Sequence, residues 1–177
     1  PYKEEATRDN DLLLIPTAET PMVGMHQDEI FDEDQLPRRY CAITPCFRRE
    51  AGAGGKRDGG MKRVHQFFKV ELFVICKPEF AEDEHQRLLR TIQSYLAWLR
   101  NGDEDNQPMI PNAEFRVIEL PEHDRAPVAT KTYDIELKID GEWVEVASIS
   151  NTGTNQTQPA QVRYRPAPVK GETKRAK

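Results

Sequence analysis

The chain has 177 residues, of which 31% are charged and 37% hydrophobic, and a net charge of −5. That length supports one domain with a real core, and no apolar run approaches the roughly 20 residues of a membrane helix, which excludes a helical membrane protein and any membrane partner of that kind. Three cysteines, Cys41, Cys46 and Cys76, form an odd and sparse set that excludes a secreted disulfide scaffold and points to a reducing, cytoplasmic setting.

The average charge hides a pattern. Phe47–Val70 carries seven Lys/Arg against two Asp/Glu, and Arg163–Lys177 carries six against one. Two basic segments on an acidic body suggest a local polyanion site.

In chain order, residues 1–11 (PYKEEATRDND) read as a polar arm. Leu12–Ile15 is a short strand candidate closed by Pro16, and Arg39–Thr44 is another closed by Pro45. Between them, the acidic Asp28–Pro37 reads as a loop or short helix. His65–Ile75 is the clearest strand. Phe68, Val70, Leu72 and Val74 share one face, expected to meet the core, while Phe67, Lys69, Glu71, Phe73 and Ile75 share the other, expected to line a site. Lys77–Arg100 reads as a helix with Pro78 in its first turn, acidic residues near its N-terminus and Asn101-Gly102 as its stop. Its stripe of Leu88, Leu89, Ile92, Tyr95, Leu96 and Leu99 is expected to be core. A polar loop over Gly102–Asn112 leads to strands at Phe115–Leu120, Thr132–Ile139 and Trp143–Ser150, the last two joined by an Asp140-Gly141 turn. From Pro166 the chain reads as a basic tail. Hairpin-linked strands with one long helix predict an α+β fold with a mostly antiparallel sheet flanked by helices.

The most informative stretch runs from Phe47-Arg-Arg-Glu50, through a basic loop rich in glycine and alanine, to Arg63-Val-His-Gln-Phe67 and Lys69-Val-Glu71. Arg48 and Glu50 lie two apart on a strand and project to one face. Phe67 and Glu71 share a face on the returning strand. An arginine, a carboxylate and an aromatic ring on adjacent antiparallel strands can grip a phosphate, an amine and a purine face, while a charged hairpin with a solvated tip is the plainer reading.

This constellation resembles motif 2 of the class II aminoacyl-tRNA synthetases, most closely in the seryl-tRNA synthetase family. Ile15-Pro-Thr-Ala-Glu-Thr-Pro21 resembles that family's serine-recognition loop, and Leu36-Pro37 through Thr44-Pro-Cys-Phe47 its lead into motif 2. Lys131–Glu136 and Glu145–Asn151 resemble the later strands that complete the site. The resemblance covers about Leu12 to Arg165. It implies a partial class II catalytic core over residues 12–165, between the arm and a tail or linker at 166–177.

It also implies roles. Thr17, Ala18 and Glu19 form the substrate triplet, with Glu19 near the amino group of serine. Arg48 matches the catalytic arginine on the ATP α-phosphate and the activated carboxylate, with Arg49 beside it, and Glu50 the contact to the adenine amino group. Phe67 matches the ring stacked on adenine, and Glu71 a carboxylate that reads serine. Glu145 and Ser148 match a Mg²⁺-contacting pair, with Val146 and Ala147 completing the ATP-binding segment; Asn151 matches a nearby polar position. The implied activity is ATP-dependent formation of seryl-adenylate and transfer to tRNA(Ser) in a longer, homodimeric parent. Glu145 and Ser148 are three apart, so strict alternation puts them on opposite strand faces, and a bulge or strand end near Ala147 is needed for both to reach one metal.

Departures from the family pattern accompany the likeness. There is no heptad-rich arm, no motif 1 ahead of the triplet, no motif 3 with its γ-phosphate arginine, and Thr152–Gln161 lacks the expected paired arginines. An internal fragment of a catalytic domain is therefore expected. Two alternatives are a non-catalytic nucleotide-binding remnant and a paralogue that loads an amino acid onto a carrier protein through a zinc site. The cysteines and histidines lack paired zinc-ligand spacing, and His65 reads as a structural hydrogen-bonding residue.

Overall fold

The computed structural model describes residues 13–49 and 63–168. The expected polar arm, Glu50, the glycine-rich loop and most of the basic tail lie outside the described residues.

Alternation of apolar and polar residues builds the central layer. Strands β4 (Phe115–Glu119), β5 (Lys131–Ile139) and β6 (Glu142–Asn151) form an antiparallel sheet in the order β4-β5-β6. Asp140 and Gly141 turn β5 into β6 with φ of 52° and 84°, the left-handed pair that a two-residue hairpin of matching twist requires. Ile135 and Ile149 point to one side and are buried there with Leu89 and Leu96 of the helix α2 (Ala81–Asn101). Leu88, Ile92, Leu99, Phe115, Val117, Tyr133 and Ala147 pack around them. The helix is fixed in register by His85, whose Nε2 donates to the Ile149 carbonyl at 2.8 Å and whose ring stacks on Tyr133. Gly102 closes α2 at φ 68°, where an added Cβ would collide with the Asn106 carbonyl oxygen.

The second unit is a long ribbon of β2 (Arg38–Phe47) and β3 (Gln66–Ile75), antiparallel from Arg38↔Ile75 to Phe47↔Gln66. Here β2 runs past Pro45, which does not close the strand as the sequence suggests. Phe47 donates its N–H outward to the Ile15 carbonyl at 2.9 Å. Pro45, two residues earlier, faces that same outer edge, so its missing N–H breaks no ladder bond. The same bond holds Ile15 against the edge of β2. The strand expected over Leu12–Ile15 reduces, among the described residues, to an isolated bridge at Leu13.

A third pairing, not anticipated, sets β1 (Ile30–Asp32) parallel to β7 (Arg163–Arg165). It places a short strand and a 3-10 turn (Glu33–Gln35) inside the segment expected to be a loop or short helix. The substrate triplet leads into a short helix α1 (Glu19–Gly24).

Two burial expectations are corrected. The apolar face of β3 is covered only in part: Phe68 is 74% and Val70 59% exposed, beside Ile43 at 69% on β2, while Leu72 and Val74 are half-buried. The mixed face with Phe67, Lys69 and Glu71 is the more covered one. On α2, Tyr95 is 55% exposed and stacks on Trp98 instead of entering the core.

An ion pair joins the ribbon to the helix. Arg39 reaches Glu84 through Nη2 at 2.5 Å and Nε at 3.1 Å, and Arg87 adds a contact at 2.7 Å. The Arg39 hydrogen bond holds the Glu84 carboxyl below its ordinary value of 4.5. A depressed carboxylate contributes stability above its unfolded pKa and loses it as pH falls through the folded one. Glu84→Gln is thus expected to lower Tm by about 2–4 °C at pH 7, and thermal melts should show the deficit fading below pH 4.5. A deficit that persists at low pH would assign the effect to packing.

Candidate functional site

The site is built where the triplet segment crosses the covered face of the ribbon. Thr17 Oγ1 donates to Glu71 Oε2 at 2.8 Å and accepts from Lys69 Nζ at 3.1 Å. Lys69 Nζ lies 2.7 Å from Glu71 Oε2. The Glu19 N–H also donates to Thr17 Oγ1 at 3.3 Å. Period-two alternation on β3 explains why Phe67, Lys69 and Glu71 arrive together. Ala18, only 3% exposed, anchors the triplet between the two polar members.

Toward the loop end, Arg48 lies over Phe67 with 5.2 Å between guanidinium and ring centroid. Its Nε donates to the Pro16 carbonyl at 3.4 Å. His65 Nδ1 donates to the Arg48 carbonyl at 3.2 Å, and the Arg48 N–H to the His65 carbonyl at 3.0 Å, the structural part expected of that histidine. Arg49, exposed beside Arg48, has partners of its own.

The opposite wall comes from β5 and β6. Their register passes from Ile135↔Ala147 to Glu136↔Glu145, skipping Val146. This bulge is the device the spacing demanded: Ser148 sits opposite Asp134 and Glu145 opposite Glu136, and the two partners are themselves two apart on β5. Glu145 and Ser148 therefore share a face. Glu145 is an exposed residue, yet the surrounding protein and then the charge of Asp134 push its pKa up, against the opposing pull of Arg48 and Lys69. Those two cations thus act across the cleft on β6. Asp134 Oδ1 is buried and has no hydrogen-bond partner among the described residues.

Glu19, Arg48, Phe67, Lys69, Glu71, Glu145, Val146, Ala147, Ser148 and Asn151 line one open cleft of about 2280 Å³. That exceeds the roughly 300–1,000 Å³ of a single small-molecule pocket. Apolar residues of β3 and α2, among them Leu72, Leu88 and Ile92, also line it. Among the described residues no three His, Cys, Asp or Glu side chains gather closely enough to hold a metal without other donors, and no helix is long and apolar enough to cross a membrane.

Three residues of this site carried no role from sequence. Lys69 was visible as a cation on the site face of its strand, but its bond to Thr17 depends on a crossing 52 residues away. Asp134 sat in a recognised segment without a function. Gln156 gave no signal at all, since the loop that carries it departs from the expected pattern.

The family described as tRNA synthetase class II core domain (G, H, P, S and T) matches residues 2–175. A serine–tRNA ligase of Roseiflexus sp. is 43% identical over 171 residues, covering 94% of this chain and 38% of that protein. The serine–tRNA ligase of Synechococcus elongatus is 42% identical over 174 residues, covering 96% and 38%. Among solved structures, the seryl-tRNA synthetase of Pyrococcus horikoshii complexed with ATP superimposes with a TM-score of 0.80 at 39% identity, over 91% of this chain and 34% of that one. The chain spans well under half the length of these relatives. Residues 2–175 nonetheless match one family model almost from end to end, and the antiparallel core agrees with it: the chain belongs to the class II tRNA synthetase core-domain family.

Proposed function

We propose that this chain supplies the amino-acid and nucleotide half of a serine–tRNA ligase site, activating serine with ATP. The observation that carries the reading is the Thr17–Glu71 hydrogen bond, with Lys69 on both partners. It joins the triplet to the strand whose Phe67 lies beside Arg48, so an amino acid and a nucleotide can be held end to end. The ATP bound to the Pyrococcus relative and the serine–tRNA ligase relatives support it.

In this reading Glu19 receives the ammonium group of serine, and Glu71 accepts from its hydroxyl while Thr17 and Lys69 hold that carboxylate in place. Glu50, outside the described residues, contacts the adenine amino group, and Phe67 offers its face to the ring. Arg48 lies between the two ligands. The serine carboxylate oxygen attacks the α-phosphorus in line, the bond to pyrophosphate breaks, and seryl-adenylate forms. Negative charge grows on the phosphoryl oxygens, and Arg48 is the side chain placed to stabilise it. No protein nucleophile is required. In the longer parent, a terminal hydroxyl of tRNA(Ser) takes the seryl group and AMP leaves; we assign that parent to a cytoplasmic homodimer.

Glu145 and Ser148 offer hard oxygen donors on one face, and Asp134 opposite Ser148, whose buried Oδ1 has no hydrogen-bond partner among the described residues, fits a site that takes up positive charge. They would hold Mg²⁺ with phosphate and water completing its shell. Bound there, the ion would neutralise phosphate charge and orient the triphosphate.

Serine-dependent ATP–pyrophosphate exchange tests the reading, with threonine and alanine as competitors. Exchange specific to serine is the expected result. ATP binding without exchange in folded protein would reduce the chain to a nucleotide-binding unit, and exchange driven by another amino acid would overturn the serine assignment.

A further inference from the structure

The loop after β6 returns across the cleft and delivers one side chain to the substrate triplet. Gln156 Nε2 donates to Glu19 Oε1 at 2.6 Å, a bond between residues 137 apart. The amide is itself oriented, because Thr152 Oγ1 donates to Gln156 Oε1 at 3.4 Å, which leaves the amino end toward Glu19. The loop backbone is pinned around it. Gly153 N–H donates to Asn151 Oδ1, Asn155 Nδ2 to the Val128 carbonyl, and Asp28 N–H to the Ala160 carbonyl, each at 2.9 Å. The β1–β7 pairing holds the far end. Gln156 and Glu19 both line the cleft.

We propose that Gln156 is a positioning residue: it holds the Glu19 carboxylate so that its charge is presented to the α-ammonium group of the amino-acid substrate. The inference rests on the reading of Glu19 as the ammonium contact. A neutral amide suits the task. It occupies one carboxylate oxygen with a directed hydrogen bond and leaves the negative charge intact, whereas a lysine or arginine there would pair with Glu19 and compete with the ammonium. Fixing the carboxylate before binding removes an ordering cost that the ligand would otherwise bear. Thr17 restrains the other side of the same residue through the Glu19 N–H.

The test uses two probes in titration calorimetry on the whole chain: a sulfamoyl mimic of seryl-adenylate, and the same compound with hydrogen in place of the α-amino group. Gln156→Met keeps the length and volume of the side chain and deletes its donor. The expected result is a roughly tenfold or greater loss of affinity for the amine-bearing probe, with the affinity for the deamino probe unchanged. Equal weakening of both probes would overturn the proposal, since Gln156 would then act only on the shape of the cleft. So would a substitution that leaves both affinities intact. If the unsubstituted chain binds the two probes equally well, the ammonium reading of Glu19 fails first and the proposal falls with it. Retained binding of the deamino probe shows that the variant is folded.

Discussion

Arg48→Ala is expected to lower serine-dependent pyrophosphate exchange by about 10²–10³-fold, the scale on which loss of one preorganised charge donor slows a reaction that builds charge in its transition state. The geometry concentrates that effect on one residue. Arg48 lies on Phe67 at 5.2 Å and is tied to Pro16, directly ahead of the triplet, which under the proposed function puts it between the activated carboxylate and the α-phosphate. Its charge also reaches across the cleft to Glu145. Arg48→Lys should recover only part of the loss, because a point charge cannot reproduce the planar fork of donors. Calorimetric titration with ATP separates binding from chemistry if exchange is weak. Exchange and ATP affinity both within threefold of the unsubstituted chain would remove Arg48 from the mechanism.

Ile135→Ala is expected to have the largest effect on stability, about 2–5 kcal/mol. Ile135 is fully buried at the centre of the three-stranded sheet, opposite Val117 on one side and Ala147 on the other, beneath Leu89 and Leu96 of the helix. Deleting three carbons there leaves a cavity that strands on both sides and a helix above cannot close. Against a total stability of about 5–15 kcal/mol, such a loss is visible in any urea titration. Ile43→Ala offers the contrast. At 69% exposure on the outer face of the ribbon, it should change stability by no more than about 0.5 kcal/mol. A similar cost at both positions would mean that the ribbon's outer face is buried in solution.

The bulge at Val146 shows how far spacing alone can reach. Two side chains three apart on a strand cannot share a face, so the sequence required an irregularity if Glu145 and Ser148 were to act together, and the register contains one. The alternation of Phe67, Lys69 and Glu71 was equally plain, because a strand has only two faces. Apolar content favours the side bearing Phe68 and Val70 as the covered one, and the structure covers the other side more. Burial depends on what lies opposite, and the triplet segment crosses the other side. The same holds for Pro45: a proline ends a strand only when its N–H is needed, and that depends on which edge it faces.

Local chemistry in the sequence therefore determined the elements that rest on periodicity and turn residues: the helix closed by Gly102, the hairpin at Asp140-Gly141, the paired strands of the ribbon and the family they belong to. Tertiary structure alone decided the contacts that join distant segments. The parallel pairing of β1 with β7, the Thr17–Lys69–Glu71 network and the Gln156–Glu19 bond link residues 52 to 137 positions apart. No local periodicity encodes such pairs, because they arise only when the packed sheet and helix set the path of the connecting loops.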